Sequence, residues 1–363
     1  MNQQNKNTKF TAAQSRHFFN RVNENVYIEV RDMAATIIDV ANLCGYSKAT
    51  ISRAYASPER VSPKTREKIY AAAKALNYTP NAIARAMVTK QTENIAFIIH
   101  EKQYPVILNP FYSPILEAIL QEGIKRGYSL FISTDHDVRL PNGEIYLKKH
   151  MDGVILAGQT DSQTIMSYRK QNIPMVLLNN RIDLDDLLCI TADNFGGAVQ
   201  AVEHLYQRGH RRIGLLAGRF SPQIYTARYN GYISVLKKYG LAEDLRFVQD
   251  IEPTMEAAEQ YISSILHLED RPTAFFCTND TIAIGAIKAV IRAGLRVPQD
   301  LAVAGFDDSE ISRVIEPELT TVQIDKQLMG KLAACKLFDC INGKDLEETW
   351  IETPTNLIVR GSA

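Results

Sequence analysis

Two hydrophobic rhythms divide the chain. From Ala35 to Thr92 apolar residues recur at helical spacing: Ile37, Ala41 and Cys44, then Ile51 and Ala54, then Ile69, Ala72 and Leu76. From Glu93 onward, short apolar runs alternate with longer helical segments. NIAFIIH (94–100), SLFIST (129–134), GVILAG (153–158), MVLLNN (175–180), RIGLLAG (212–218), AFFCTND (274–280) and LAVAGFDD (301–308) read as buried strands. Between them helices are predicted, among them Pro114–Arg126, Gly196–Arg208, Tyr225–Tyr239, Met255–Leu266 and Thr281–Ala293. This alternation predicts parallel sheets covered on both faces, and the span suffices for two of them, packed as lobes around a cleft.

Local punctuation sharpens the first segment. Thr36 and Asp39 have the spacing of a capping box, and Gly45 can end that helix with positive φ. Ser47 is a natural cap for a second helix, and Ser62 with Pro63 opens a third. Helix, Gly-containing turn and capped helix is the sequence form of a helix-turn-helix. Lys48, Ala49, Thr50 and Arg53 stand at or near the end of the second helix that meets base edges in a major groove. Lys48 suits guanine O6 or N7, the Ala49 methyl suits a thymine methyl, and Ser47, Thr50 and Ser52 suit phosphate oxygens. Charge separates this from an ordinary three-helix module. Residues 33–92 hold nine Lys/Arg against three Asp/Glu, whereas the remaining 303 residues hold 32 against 38. A basic module on an acidic body suits a polyanion binder whose body must not adhere to DNA.

The rest of the composition mainly excludes. Apolar residues make up 45% and charged residues 23%, as in an ordinary soluble protein, and the length allows two or three domains. No apolar run approaches the length of a membrane span. The five cysteines form no CxxC and no cluster with histidine, so free thiols in a reducing cytoplasm are expected, with no metal and no cofactor. Neither GxSxG nor GxxxxGK[ST] occurs, and no catalytic set is expected. Residues 1–32 are polar and lack a secretory signal; disorder is expected through Ala13, and Ser15 to Val30 can form a short helix. In the body, three apolar runs end in paired polar residues: Asn179–Asn180, Asn279–Asp280 and Asp307–Asp308. Each could simply cap a helix, but three such ends point to a ligand site at the carboxyl ends of strands.

The segment resembles the DNA-binding headpiece of the LacI/GalR family of bacterial transcription regulators. The matching residues are Asp39-Val40-Ala41, Gly45, Ser47-Lys48-Ala49-Thr50, Ser52-Arg53, Val61-Ser62, Thr65-Arg66 and Tyr78-x-Pro80-Asn81-x-x-Ala84. The resemblance continues through NPFYSPILEAI (109–119), TND-x-x-AIGA (278–286), VPQDLAVAGFDDSE (297–310) and LIVRGSA (357–363). It implies an all-α helix-turn-helix headpiece with a hinge helix, joined to an α/β two-lobed, type I periplasmic-binding-protein-like effector domain. The implied boundaries are an extension (1–32), a headpiece (33–80), a hinge and linker (81–92), and a body (93–363). Within the body, 93–191 with 325–347 is expected to form the N-lobe and 193–321 with 349–363 the C-lobe. Chain crossings are expected near Ala192, Val322 to Ile324, and Thr349. Family members usually start close to the position of Met33.

The DNA-contacting set implied is Thr36, Ser47, Lys48, Ala49, Thr50, Ser52 and Arg53. The hinge adds Asn81, Ala84, Arg85 and Met87, with Met87 as the apolar wedge where the family usually has leucine. Seven residues are too few for an isolated helix, so the hinge is expected to fold only on DNA, paired with its twin. The effector set implied is Phe111, Tyr112, Asn180, Arg228, Asn279 and Asp307, with Ile251 where relatives often have a stacking aromatic. Segment 141–150 looks shorter than the helix usual there. The expectation is a cytoplasmic repressor that binds a double-stranded, pseudo-palindromic operator as a homodimer and is released by a sugar, sugar acid or sugar phosphate. With no heptad tail, a tetramer is not expected. A protein co-effector or purine-like corepressor is the alternative, and a solute-binding protein a distant one.

Overall fold

The computed structural model describes residues 35–79, 91–100, 105–138, 151–160, 162–182, 184, 186–218 and 222–363. The expected disorder through Ala13, the Ser15–Val30 helix, hinge residues Asn81, Ala84, Arg85 and Met87, and segment 141–150 lie outside the described residues. The chain divides between Gln91 and Thr92 into two compact units.

The described residues of the first unit hold three α-helices: α1 (Ile37–Cys44), α2 (Lys48–Ala56) and α3 (Pro63–Ala75). Gly45 ends α1 at φ 74°, where a side chain would be strained. Ser47 and Ser62 cap α2 and α3, accepting from Thr50 N at 3.1 Å and Thr65 N at 3.2 Å. Helices this short are marginal alone, so a shared core must hold them. That core is Val40, Ile51, Ala54, Val61, Ile69, Ala72 and Ala73. It is centred on Val40, fully buried between the predicted Ile37, Ala41 and Cys44, which only pack against it. The Tyr70 hydroxyl donates to the Ala54 carbonyl at 2.7 Å and ties α3 to α2.

The described residues of the second unit form two six-stranded sheets. The first contains β1 (Asn94–Ile99), β2 (Ser129–Thr134), β3 (Gly153–Ala157), β4 (Met175–Leu178), β5 (Leu188–Ala192) and, late in the chain, β11 (Trp350–Thr353). Its order is β11-β5-β4-β3-β1-β2, and all pairings are parallel. The second contains β6 (Ile213–Gly218), β7 (Val248–Ile251), β8 (Ala274–Cys277), β9 (Ala302–Asp307), β10 (Thr320–Ile324) and β12 (Thr355–Ile358), in the order β12-β10-β9-β8-β6-β7. The intervening helices are α4 (Tyr112–Lys125), α5 (Ser162–Lys170), α6 (Asn194–Gln207), α7 (Pro222–Lys238), α8 (Met255–Ile265), α9 (Asp280–Arg292) and α10 (Lys326–Ile341).

Two expectations are corrected here. Residues 350–353 belong to the first sheet, so the last crossing falls at Pro354 rather than near Thr349. WIET is a half-exposed edge strand without an apolar run, which is why its pattern gave no strand signal. The second sheet is not wholly parallel, because β12 runs antiparallel to β10 with Ile324 opposite Thr355. Strand β10 leaves the lobe at the crossing, and β12 re-enters at that same end, so it must run back alongside.

Helices α6 and α7 pack closely. A Cβ on Gly231 would sit 2.6 Å from the Phe195 carbonyl oxygen and 2.7 Å from the Ala198 Cβ. Neither neighbour is a flexible side-chain tip, so Gly231→Ala is expected to destabilise the body by about 1–3 kcal/mol. Urea unfolding of wild type and variant measures the difference; equal midpoints would show that the helices can separate freely.

Candidate nucleic-acid interface and ligand cleft

In the first unit, Ser47, Lys48, Ala49 and Arg53 are exposed, while Thr50 and Ser52 are half-buried. The Ser47 and Thr50 hydroxyls lie 2.9 Å apart, so each orients the other. Thr36 is exposed, and its amide and hydroxyl donate to Asp39 Oδ2 at 2.8 and 2.7 Å. Those two bonds, the backbone one foremost, hold the Asp39 carboxyl below its ordinary range. The N-terminal end of α2 thus presents one lysine, a methyl group and hydroxyls, with Arg53 exposed in its last turn, which suits base edges flanked by phosphates.

In the second unit, a cavity of about 370 Å³ opens between the two sheets. The first lobe supplies Phe111, Tyr112 and Asn179, and the second supplies Tyr225, Arg228, Asn279 and Asp307. Asn109 Oδ1 accepts from the Phe111 and Tyr112 amides at 3.0 and 3.2 Å, which starts α4 and sets both rings in the cleft. Their rings meet edge to face, with centroids 4.9 Å apart. Tyr112 is buried, its hydroxyl accepts from Asn179 Nδ2 at 3.1 Å, and burial raises its phenol pKa. Asn279 caps α9, its Oδ1 accepting from Ile282 N at 2.8 Å, and also lines the cleft.

Arg228 is only 3% exposed and is held on every side. Its Nε donates to Asn194 Oδ1 at 2.9 Å, and Nη1 donates to the Thr278 carbonyl. The guanidinium carbon stands 3.7 Å over the Phe306 ring, and Nη2 is 3.5 Å from Asp307 Oδ1. Burial pushes the Asp307 carboxyl up, against the opposing pull of Arg228 and Lys326. The Lys326 ammonium donates to the Asp307 carbonyl and, at 3.3 Å, to that of Asp308.

Neighbouring carboxylates part company here. Asp307 has φ 113° and Asp308 φ 47°, so the chain turns through left-handed backbone and sends the two side chains to different places. Asp308 accepts from Arg313 Nη2 at 2.7 Å, Arg360 Nη2 at 2.6 Å, Ser312 Oγ at 3.2 Å and Gln323 Nε2 at 3.2 Å. Burial would raise its pKa, but the two arginines outweigh that and hold it at about 2. Asp280 faces inward, accepting from the Ser309 amide and hydroxyl at 2.6 and 2.8 Å and from the Thr321 hydroxyl. Burial and then the Asp307 charge push its carboxyl up.

The structure therefore brings Phe111, Tyr112, Arg228, Asn279 and Asp307 together and leaves out two expected residues. Asn180 is buried beside the cleft, its Nδ2 reaching the Thr160 carbonyl at 3.5 Å and its Oδ1 accepting from Arg181 N at 2.9 Å. Asn179, one residue past the end of β4 and in left-handed backbone at φ 53°, faces the cleft instead. Ile251 packs into the second-lobe core; Pro253 and Thr254, just beyond the end of β7, line the cleft in its place. Tyr225 was missed. It lies three residues before Arg228 on one helix face, which is the signal that could have found it. Burial pushes its phenol up to about 12, and its hydroxyl bonds with Asn279.

A helix-turn-helix with an exposed basic recognition end, and an α/β body with a polar cleft between lobes, define a ligand-responsive DNA-binding regulator. Residues 36–81 match the model of bacterial regulatory proteins of the lacI family, and 202–363 match a periplasmic binding protein-like domain. The chain belongs to the LacI family of bacterial transcriptional regulators, as a DNA-binding repressor rather than an enzyme. It is 32% identical over 336 residues to the HTH-type transcriptional repressor PurR of Mannheimia succiniciproducens, covering 90% of this chain and 98% of that protein. Among solved structures, it resembles the lac repressor dimer bound to operator and the anti-inducer ONPF, with TM-score 0.76 and 28% identity, covering 90% of this chain and 98% of that one. It also resembles the transcriptional regulator CelR in complex with cellobiose, with TM-score 0.69 and 28% identity, covering 91% and 100%.

The Asp308 contacts carry a pH dependence. Its pKa is depressed on folding, so it contributes stability above about pH 4 that is lost as pH falls towards 2. Asp308→Asn is expected to be less stable than wild type at pH 7 and to lose less on acidification across that window. Thermal unfolding at pH 7, 4 and 3 measures it; parallel losses in both proteins would remove Asp308 as the cause.

Proposed function

We propose that this repressor binds a pseudo-palindromic operator as a homodimer, and that a hydroxyl-rich small molecule, a sugar or sugar derivative, enters the interlobe cleft and releases it. The observation that carries this reading is the convergence of Arg228, Asp307 and Asn279 on one cavity walled by aromatic rings. A carboxylate, a guanidinium and an amide can each take part in gripping vicinal hydroxyls, while aromatic rings cover the apolar face of a sugar. The relative CelR, solved with cellobiose, supports the ligand class. A ligand that touches both lobes shifts their arrangement by its differential affinity for the two states, and DNA affinity follows through linkage.

Dimerisation has its own support. Strand β2 is an edge of the first sheet, yet exposes Phe131 and Ile132, while α4 exposes Leu120 and Ile124. An apolar sheet edge left in water invites pairing, and a second copy is the cover proposed here. The lac repressor relative was solved as a dimer on operator. On DNA, Lys48 and Arg53 are assigned to base edges or phosphates, Ser47, Thr50, Ser52 and Thr36 to the backbone, and Ala49 to a thymine methyl. The three rings of Phe111, Tyr112 and Tyr225 also favour a second reading, a nucleoside or purine-like ligand stacked among them.

A thermal-shift screen with sugars, sugar acids, sugar phosphates, nucleosides and purines tests the cleft. A ligand at a hundred times its dissociation constant stabilises the fold by about 2.7 kcal/mol. Asp307→Asn is expected to weaken that ligand at least tenfold, at a cost of about 1.4 kcal/mol. No response to any compound would overturn the small-molecule reading in favour of a protein co-effector. For the headpiece, Arg53→Ala is expected to reduce affinity for a duplex selected from a random pool; if Arg53 meets a phosphate, the salt slope falls by about one. Unchanged affinity and slope would remove Arg53 from the interface.

A further inference from the structure

The amino-terminal half of α7 separates two cavities. Tyr225 and Arg228 face the cleft, whereas Gln223, Thr226 and Asn230 face a second cavity of about 430 Å³, and Ile224 borders both. The far wall of the second cavity is the first lobe: Arg181, Thr191, Trp350 and Glu352. Trp350 and Glu352 lie on β11, and Thr191 lies on β5 beside it. These two strands lead into two of the chain crossings, at Ala192–Asp193 and at Pro354.

This wall is already organised. The Trp350 indole donates to Thr191 Oγ1 at 2.9 Å, and the Arg181 guanidinium stacks on the indole at 3.8 Å. Asn194, on the floor of the cavity, holds Arg228 Nε through its Oδ1 and the Ala192 carbonyl through its Nδ2 at 2.7 Å. One side chain therefore joins the cavity, the crossing strand and the arginine of the cleft. Among the described residues, the side chains of Gln223, Asn230 and Glu352 make no hydrogen bond, although the Glu352 carboxylate stands in the fields of Asp193 and Arg181, so their polar atoms can turn to a ligand.

We infer that this second cavity is a separate binding site for a neutral polyhydroxylated molecule of mono- or disaccharide size. Amides both donate and accept, as hydroxyls do, and a carboxylate accepts from a vicinal diol. The charges favour neutrality: the lining holds one cation, Arg181, and one anion, Glu352, each in the field of the other, and so offers an ion no net charge to bind. Because the ligand touches both lobes and the residue that positions Arg228, its binding is coupled to occupancy of the cleft, and the coupling is reciprocal. The site is independent of what the cleft itself takes.

Trp350 is the only tryptophan of the chain and stands in this cavity, not in the cleft, so its fluorescence is the readout. The full chain is titrated in turn with D-ribose, D-glucose and cellobiose, with glucose 6-phosphate and glutamate as charged probes. The expected result is a saturable change with a neutral sugar, weakened about tenfold in Asn230→Leu and in Glu352→Gln and retained in Asp307→Asn. Both second-cavity positions are exposed, so the fold survives their substitution. A response lost in Asp307→Asn but equal to wild type in the other two would overturn the site, leaving Trp350 as a reporter of cleft filling. Absence of any saturable change with the neutral sugars would overturn it as well. A stronger response to either charged probe would overturn the ligand class.

Discussion

The body of this repressor depends on the burial of one guanidinium. A charge removed from water is tolerated only when its hydrogen bonds and its charge are answered nearby. Arg228 is answered by Asn194, the first residue of α6, by the Thr278 carbonyl after β8, and by Asp307 at the end of β9, with Phe306 beneath it. Satisfying that one side chain fixes three strand ends relative to α7. The ends so fixed are the ones that line the cleft. Lys326, at the start of α10, adds a second buried cation that bonds the Asp307 and Asp308 carbonyls next to a chain crossing. Cleft and crossings are therefore parts of one polar network.

Capping and ligand binding, opposed when the strand ends are read from sequence, are not alternatives in this fold. Asn279 caps α9 and lines the cleft with the same side chain. A cap at the carboxyl end of a strand sits where open α/β sheets place their ligands, so one residue can serve both purposes. The carboxylates divide differently. Asp307 stays at the cleft, Asp308 is fully engaged in holding Arg313 and Arg360, and Asp280 ties Ser309 and Thr321 together. Of the three, only Asp307, paired with Arg228, lines the cleft.

The first unit follows another economy. Its three helices are too short to persist alone, and a small core around Val40, Ile51 and Ile69 holds them. Every strongly polar residue of the recognition end can then remain on the surface. The basic excess of this segment is balanced by an acidic body, which directs attraction for a polyanion to one end of the chain.

Helical spacing, capping residues and apolar runs were enough to predict the helix-turn-helix, the alternation of strands and helices, and three of the polar strand ends at the cleft, whereas Arg228, Phe111 and Tyr112 were implied only by the family resemblance. Those signals are local, and local periodicity survives in any chain that must bury one face. What they could not convey was orientation. Whether Asn179 or Asn180 faces the cleft depends on the left-handed turn just past β4, and the fates of Asp307 and Asp308 depend on two left-handed residues. The inward packing of Ile251 depends on where β7 ends. The half-exposed β11 and the reversed β12 were equally silent, because edge strands bury too little to show a pattern. Sequence by itself determined the alternation of strands and helices and the chemistry that stands at three of the strand ends. Only the tertiary structure decided which of those side chains share a cavity, because that is set by long-range strand pairing and by the need to satisfy each buried charge.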